Sequence, residues 1–447
     1  MLNTGFLRTV VYITMAIVLC CSMAFGQDKL VIISPHWEGI ETAFDLGFKQ
    51  WYTDETGRTV TTQWLDQGGS STDFRFIESE FKRLPEGIGI DLFFGGGTDN
   101  YLKLADWGLL HPYRLPDALL ERIPKEIFGI PVYDSEYRWY GAALSSFGIM
   151  HNEELRALLK LPEAHTWQDL THPKLVGRVG AADPRESGSA HMMYEIILQG
   201  HGWEEGLSLI TQLGANVKAF VAGANAIPKD VVRGDIIYGM AIDFYAFGQI
   251  AVLGEDKIGF AIPPDAAVIS PDSIAILKGA PNLEVAEKFL EFVLSDMGQK
   301  LWMLRDTDPE GPQWKGGLNR CAVIPALYEA LGDRCVVDNP FKLDLHPIEY
   351  DAAKGGVRWD IVSDIIGVLV IEPHKDLVDA WKAINKIKDP QKREEAIKIL
   401  GGAPITEEEA MALAASEWSK PDFRNQKLKE WGAFAADKFK RAKALAK

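Results

Sequence analysis

The chain is short of cysteine, of histidine and of positive charge. Its 447 residues include 4 cysteines and 9 histidines, and no CxxC or nearby pair of histidines completes a zinc site. The 47 basic residues are outnumbered by 63 acidic ones, giving a net charge of −16. Such a balance gains nothing from the counterion release or surface attraction that nucleic acid and anionic membranes offer, so neither is the main partner. After the first 26 residues no apolar run approaches the ~20 residues of a membrane span. Signatures of enzymes are missing too: there is no HExxH, no GxxxxGK[ST], no GxSxG, and no dinucleotide GxGxxG with its downstream acid.

The one long apolar run is at the start. Arg8 is the only charge before residue 27, an apolar stretch covers Val10 to Cys21, and Ala24-Phe25-Gly26 places small residues where a signal peptidase reads. Residues 1–26 therefore read as a cleaved export signal, and Leu19 before Cys20 argues against a lipoprotein. The two cysteines that remain, Cys321 and Cys335, are expected to pair as a disulfide in an oxidising compartment. A loop this short would contribute about 3 kcal/mol in the chain-entropy picture.

The rest of the chain alternates strand-like and helix-like stretches. Leu30–Ile33 is a compact apolar run ending in the loop Ser34–Trp37, Ile40–Tyr52 has helical spacing, and Ile90–Phe94 is a strand before Gly95–Thr98 and a helix over Asn100–Leu109. This repetition predicts an α/β domain with a mostly parallel sheet. Ligands collect at the carboxyl ends of such strands. Four loops qualify: Ser34–Trp37, Gly95–Thr98, Glu186–Ser189, and Asp243–Tyr245 after the apolar run that ends at Ile242. Two extended apolar segments, Tyr140–Met150 and Ile258–Leu277, read as crossings between two lobes. The expected organisation is 1–26 signal, 27–140 first part of lobe 1, 141–258 lobe 2, 259–345 second part of lobe 1, and 346–447 a helical C-terminal extension. In that extension Trp418, Phe423, Trp431 and Phe434 offer apolar anchors, which argues against disorder.

Each candidate residue has a plain reading beside a functional one. Ser187-Gly188-Ser189 opens a helix, where Ser caps the first turn; the same free amides and helix dipole also seat an anion. Gly95-Gly96-Gly97 permits a tight turn or cradles a phosphate. Asp243 is a helix cap or a carboxylate for a ligand hydroxyl or amine, Trp37 is core or a ligand-packing face, and His36 is a site residue or a loop residue. His191 and Glu195, four apart on one helix face, read as a packed or solvated pair rather than metal ligands.

The segment from Ser145 to Gly202 carries a family pattern. A strand is followed by an "N.E.L" helix (Asn152, Glu153, Leu155), then "P...TW.DL..P...G" (Pro162, Thr166, Trp167, Asp169, Leu170, Pro173, Gly177), then "DP..SG" (Asp183, Pro184, Ser187, Gly188). This resembles the extracellular solute-binding proteins of bacterial ABC importers, in the branch that takes up ferric iron, thiamine, polyamines, phosphonates and sugar phosphates. The likeness runs from about Lys29 to Trp302. It implies a type II two-lobed fold and a monomer in the periplasm. It further implies a small-molecule ligand in the interlobe cleft, delivery to a permease of the inner membrane, and no catalysis, cofactor or resident metal. In this branch the "SGS" helix start often holds a phosphate or another anion. Ferric-iron members place two adjacent tyrosines after the strand ending at Ile242, where this chain has Phe244-Tyr245. The reading taken forward is a small anionic organic ligand, a sugar phosphate or phosphonate. Ser187, Gly188 and Ser189 would seat it, with Gly96, Gly97 and Thr98 opposite and Ser34, His36, Trp37, Asp243 and Tyr245 around it. Iron, polyamine and thiamine are the alternatives, with an exported hydrolase behind them.

Overall fold

A computed structural model describes residues 27–342 and 348–446. The export signal expected at 1–26 lies outside them. The first strand β1 (Asp28–Ile33) leads into α1 (Glu38–Thr56), β2 (Val60–Leu65), α2 (Ser70–Arg83), β3 (Leu92–Gly97) and α3 (Thr98–Asp106). Both β2 and β3 pair parallel to β1, and the inward residues Leu30, Ile32, Ile33, Leu92, Phe93 and Phe94 are fully buried. Buried on both faces, such strands read in sequence as unbroken apolar runs.

The long strand β4 (Tyr140–Asn152) then leaves this half of the molecule. The second half holds β5 (Val179–Ala182), α4 (Gly188–His201), α5 (Trp203–Gly214), β6 (Val217–Val221), β7 (Tyr238–Ile242) and α6 (Asp243–Leu253). The chain returns through β8 (Ile258–Ala261) and β9 (Ile269–Leu277), followed by α7 (Leu283–Val293) and α8 (Asp296–Met303). The strand order is β2-β1-β3-β9-β4-β7-β5-β6, with β8 also on β4. Residues Tyr140–Ser146 of β4 pair antiparallel with β9, and Phe147–His151 pair antiparallel with β7. One strand thus belongs to both halves, and the two expected crossings are β4 and the β8–β9 segment. The result is the two-lobed α/β fold of a type II binding protein.

From Ala352 onward the described chain is helical. It comprises α9 (Ala352–Ile366), a π-helical turn over Gly367–Ile371, α10 (His374–Ile384), α11 (Pro390–Gly401), α12 (Glu407–Ala414) and α13 (Pro421–Ala444). These helices are docked on the body. Trp203 donates its indole N–H to the Ile405 carbonyl at 2.8 Å, and Trp381 donates to Asn216 Oδ1 at 2.9 Å. Trp418 stacks on Trp431 with centroids 5.1 Å apart. No helix among the described residues is long and apolar enough to cross a membrane.

The cysteine expectation needs correction. Cys321 and Cys335 are free thiols. The Cys321 carbonyl accepts from Leu144 N on β4 and its Sγ approaches the Asp338 carbonyl at 3.7 Å, while Cys335 pairs by backbone with Leu304. Each cysteine is therefore held to a different segment, and no bond joins them.

Candidate functional site

Six parallel-strand ends deliver residues to one cavity of about 90 Å³ between the lobes. His36 comes from the end of β1, Gly68–Ser70 from β2 and Gly96 from β3. Glu186, Ser187 and Ser189 come from β5, Gly223–Asn225 from β6, and Phe244 and Tyr245 from β7. Asp272 of β9 and Arg320 complete the lining. A larger groove of about 720 Å³ lies between α6 and the Arg305–Asp338 region, but only the smaller cavity gathers the strand ends and helix starts that bind ligands in open α/β sheets.

Two helices of fourteen residues begin at the cavity, α2 from lobe 1 and α4 from lobe 2. The α2 start is open: its N-cap is Gly69, no side chain caps it, and the buried Ser71 hydroxyl has no partner. At the α4 start Ser187 lines the cavity and also accepts from Ala190 N at 3.3 Å. Ser187 thus caps the helix while it faces the cavity. No acidic residue lies in the first turn of α4, and Glu186 just before its cap lies 3.8 Å from the Arg75 guanidinium. Glycine lets the two starts approach. A Cβ on Gly188 would lie 2.3 Å from Ser70 Oγ, and one on Gly96, whose φ is +94°, would lie 3.0 Å from Ser70 Cβ.

Opposite these termini sits a buried charge cluster. Arg320 Nη1 donates to Asp272 Oδ2 at 2.6 Å and Nη2 to Ser145 Oγ at 2.7 Å. His36 Nε2 lies 2.8 Å from the same Asp272 oxygen, and Gly96 N donates to Asp272 Oδ1. The guanidinium lies 4.2 Å from the Phe244 ring centroid, a cation–π contact in a desolvated setting. Arg320 Nε and His36 Nδ1 are buried with no partner. Burial alone would raise the Asp272 carboxyl; Arg320 and His36 outweigh it and hold it at about 2. Burial lowers His36 from 6.5 against the opposing pull of Asp272.

A depressed carboxyl makes a stability prediction with a defined sign. The Asp272 contribution is complete above its ordinary value of 3.8 and is lost as the pH falls through about 2. An acid titration of the melting temperature should show this loss in the wild type and not in Asp272→Asn.

Of the residues named from sequence, His36, Gly96, Ser187, Ser189 and Tyr245 line the cavity, and Gly188 sits at the lobe contact. The others serve elsewhere. Ser34 is buried and accepts from His36 N at 3.2 Å, bracing the loop. Trp37 packs edge-on against Trp314 with centroids 5.4 Å apart. Gly97 ends β3, and Thr98 is buried facing Ser273; Gly95–Gly97 are strand rather than loop. Asp243 is held by packing between β4 and α6. It is the first residue of α6 rather than its cap, and its carboxylate accepts from Ser146 N and Oγ on β4 and from Phe244 N, which ties the α6 start to β4. Burial raises it to about 6 despite these bonds. Sequence reasoning missed Arg320, Asp272, Ser70 and Asn225. The legible signal was a charge inside each of two apolar stretches, "ISPDSIAIL" and "GLNRCAVIP".

Comparison with known proteins agrees with this fold. The model of a family described as bacterial extracellular solute-binding protein matches residues 88–310. The phosphoglycerate transport regulatory protein PgtC of Salmonella typhimurium is 25% identical over 324 residues, covering 71% of this chain and 73% of that protein. An uncharacterized protein of Haemophilus influenzae is 28% identical over 252 residues, 56% of this chain and 69% of its own. Among solved structures, the periplasmic binding protein AfuA from Actinobacillus pleuropneumoniae, with exogenous fructose-6-phosphate bound, aligns with a TM-score of 0.62 and 21% identity. That alignment covers 80% of this chain and 98% of AfuA. Built around a cleft where strand ends of both lobes converge, the chain belongs to the bacterial extracellular solute-binding proteins.

Proposed function

We propose that the cleft captures a small organic anion carrying a phosphate or phosphonate group and delivers it to a permease of the inner membrane. The observation that carries this reading is the convergence of two helix starts, α2 and α4, from opposite lobes onto a cavity that also holds the Arg320 guanidinium. Backbone N–H groups at a helix start and a guanidinium fork both favour the oxygens of an anion. Closure brings the two starts together, so the anion completes the contact that closes the lobes. The names of the relatives support the class: one is bound to fructose-6-phosphate, another is a phosphoglycerate transport regulatory protein. A metal ion is poorly served by these residues. Only one of the two phenols that iron-binding members use is present, at Tyr245, and a buried guanidinium at the cavity repels a cation. The chain acts in the periplasm after removal of residues 1–26, as a monomer, and performs no chemistry on its ligand.

Replacing both Ser187 and Ser189 with Ala is expected to weaken binding of fructose 6-phosphate about tenfold, a loss of roughly 1–2 kcal/mol for two neutral hydrogen-bonding groups. Calorimetric titration checks it. Unchanged affinity would reduce these serines to a helix cap and remove α4 from the ligand seat.

A further inference from the structure

The helical C-terminal region touches both walls of the cleft. On the lobe 2 side, α9 grips the helix that begins at Ser187. Arg358 Nη2 and Nε donate to Glu195 Oε1 at 2.6 and 2.9 Å, with both side chains fully buried. Trp359 stacks on His191 with centroids 3.7 Å apart. The Ser363 hydroxyl reaches His191 Nδ1 at 3.0 Å and the Pro184 carbonyl at 3.4 Å, in the loop that leads to Ser187.

On the lobe 1 side the same region meets α3, the helix that follows Gly96 and Gly97. Tyr350 donates its hydroxyl to Asp99 Oδ2 at 3.4 Å. Lys103 Nζ lies 5.9 Å from the Trp359 ring centroid. Gly355 packs so closely that a Cβ there would lie 3.2 Å from Asp99 Oδ1 and 3.5 Å from Glu195 Cγ. One glycine of α9 therefore faces a residue of each lobe.

These two sets of contacts differ in strength. Toward lobe 2 stands a buried, charge-assisted, two-bond grip with an aromatic stack, costly to break. Toward lobe 1 stand one long hydrogen bond, one cation–π contact, the attraction of Asp360 on α9 for Lys103, and close packing, with no buried two-bond ion pair among the described residues. Asp99 Oδ1 and both amide atoms of Asn100 are buried without partners, and water would satisfy them on opening. The seam between α3 and α9 is thus the weak side.

We propose that the C-terminal region rides with lobe 2 and latches onto lobe 1 through Tyr350 and Trp359, favouring the closed cleft and slowing ligand release. The release point is Asp99 and Lys103. The effect on ligand exit rests on the ligand lying in the cleft as proposed above; the effect on lobe closure does not.

Small-angle X-ray scattering of the ligand-free full-length protein tests the latch directly. Tyr350→Phe, Lys103→Met and the double variant each remove a latch contact and leave every cavity residue intact; circular dichroism confirms that they are folded. The wild type is expected to be compact, and the double variant to show a larger radius of gyration. Identical profiles for the two would overturn the proposal. Where fructose 6-phosphate binds, the double variant is also expected to release it about tenfold faster, equivalent to about 1.4 kcal/mol. Failure of that compound to bind would count against the ligand reading alone, since the scattering result decides the latch by itself.

Discussion

Arg320→Gln is expected to lower affinity for a phosphorylated ligand by about two to three orders of magnitude, because removing one member of a buried, hydrogen-bonded charge pair costs roughly 2–5 kcal/mol. Two effects act together. The ligand loses a charge-assisted donor at the cavity wall, and Asp272 loses the cation that holds its carboxyl at about 2. With Arg320 gone, His36 and the Gly96 amide are the remaining neighbours of that carboxylate. The cavity then presents a negative charge to an anion. Burial, no longer opposed by the guanidinium, pushes the Asp272 carboxyl upward. The double variant Arg320→Gln with Asp272→Asn separates the two effects. It should regain most of the melting temperature lost by Arg320→Gln while still binding fructose 6-phosphate weakly, since the guanidinium is absent from both. Calorimetry and thermal unfolding of the three proteins check this. A double variant that binds as the wild type does would assign Arg320 a purely structural task.

Arg358→Met carries the largest expected effect on stability, about 3–5 kcal/mol, since it strands a buried carboxylate. Glu195 accepts from Arg358 at 2.6 Å with both side chains at 0% exposure, and its only other donor among the described residues is Gln199 Nε2 at 2.8 Å. The same guanidinium also pairs with Glu407 at the start of α12 and lies 5.4 Å from the Trp203 ring centroid. One side chain therefore ties α4, α9 and α12 together. Denaturant unfolding should show the loss, and Arg358→Met combined with Glu195→Gln should recover a substantial part of it, because the second change removes the stranded charge. A loss below about 1 kcal/mol in the single variant would mean that water reaches Glu195 and that the pair is no anchor.

The fold was legible because its signals are local. Strands buried on both faces appear as apolar runs such as Leu30–Ile33, and a helix start appears as Ser187 before a periodic stretch. The two crossings could be read from extended apolar segments for the same reason. The site was legible only where a loop carries its own signature, as at "ESGSAH" and His36. Arg320 and Asp272 carry only a weaker signal, a lone charge inside an apolar stretch. Their ion pair joins residues from separate segments, and it exists because β9 lies between β3 and β4. Asp243 and Trp37 misled for a related reason: a carboxylate after a strand and an aromatic in a loop fit ligand contact and local packing equally well in sequence. Neighbours from distant segments, Ser146 and Trp314, decided for packing. The disulfide expectation failed on the same ground, since short separation along the chain does not by itself join two thiols, and Cys321 is held to Leu144 of β4 while Cys335 is held to Leu304 at the end of α8.

The most direct test of the ligand seat is native mass spectrometry of protein purified without refolding, with release and identification of the small molecule that travels with it. A tight cleft retains its occupant through purification when dissociation is slow. The account predicts a phosphorylated or phosphonate compound, lost from Arg320→Gln. A bound iron ion or an organic amine in its place would contradict it.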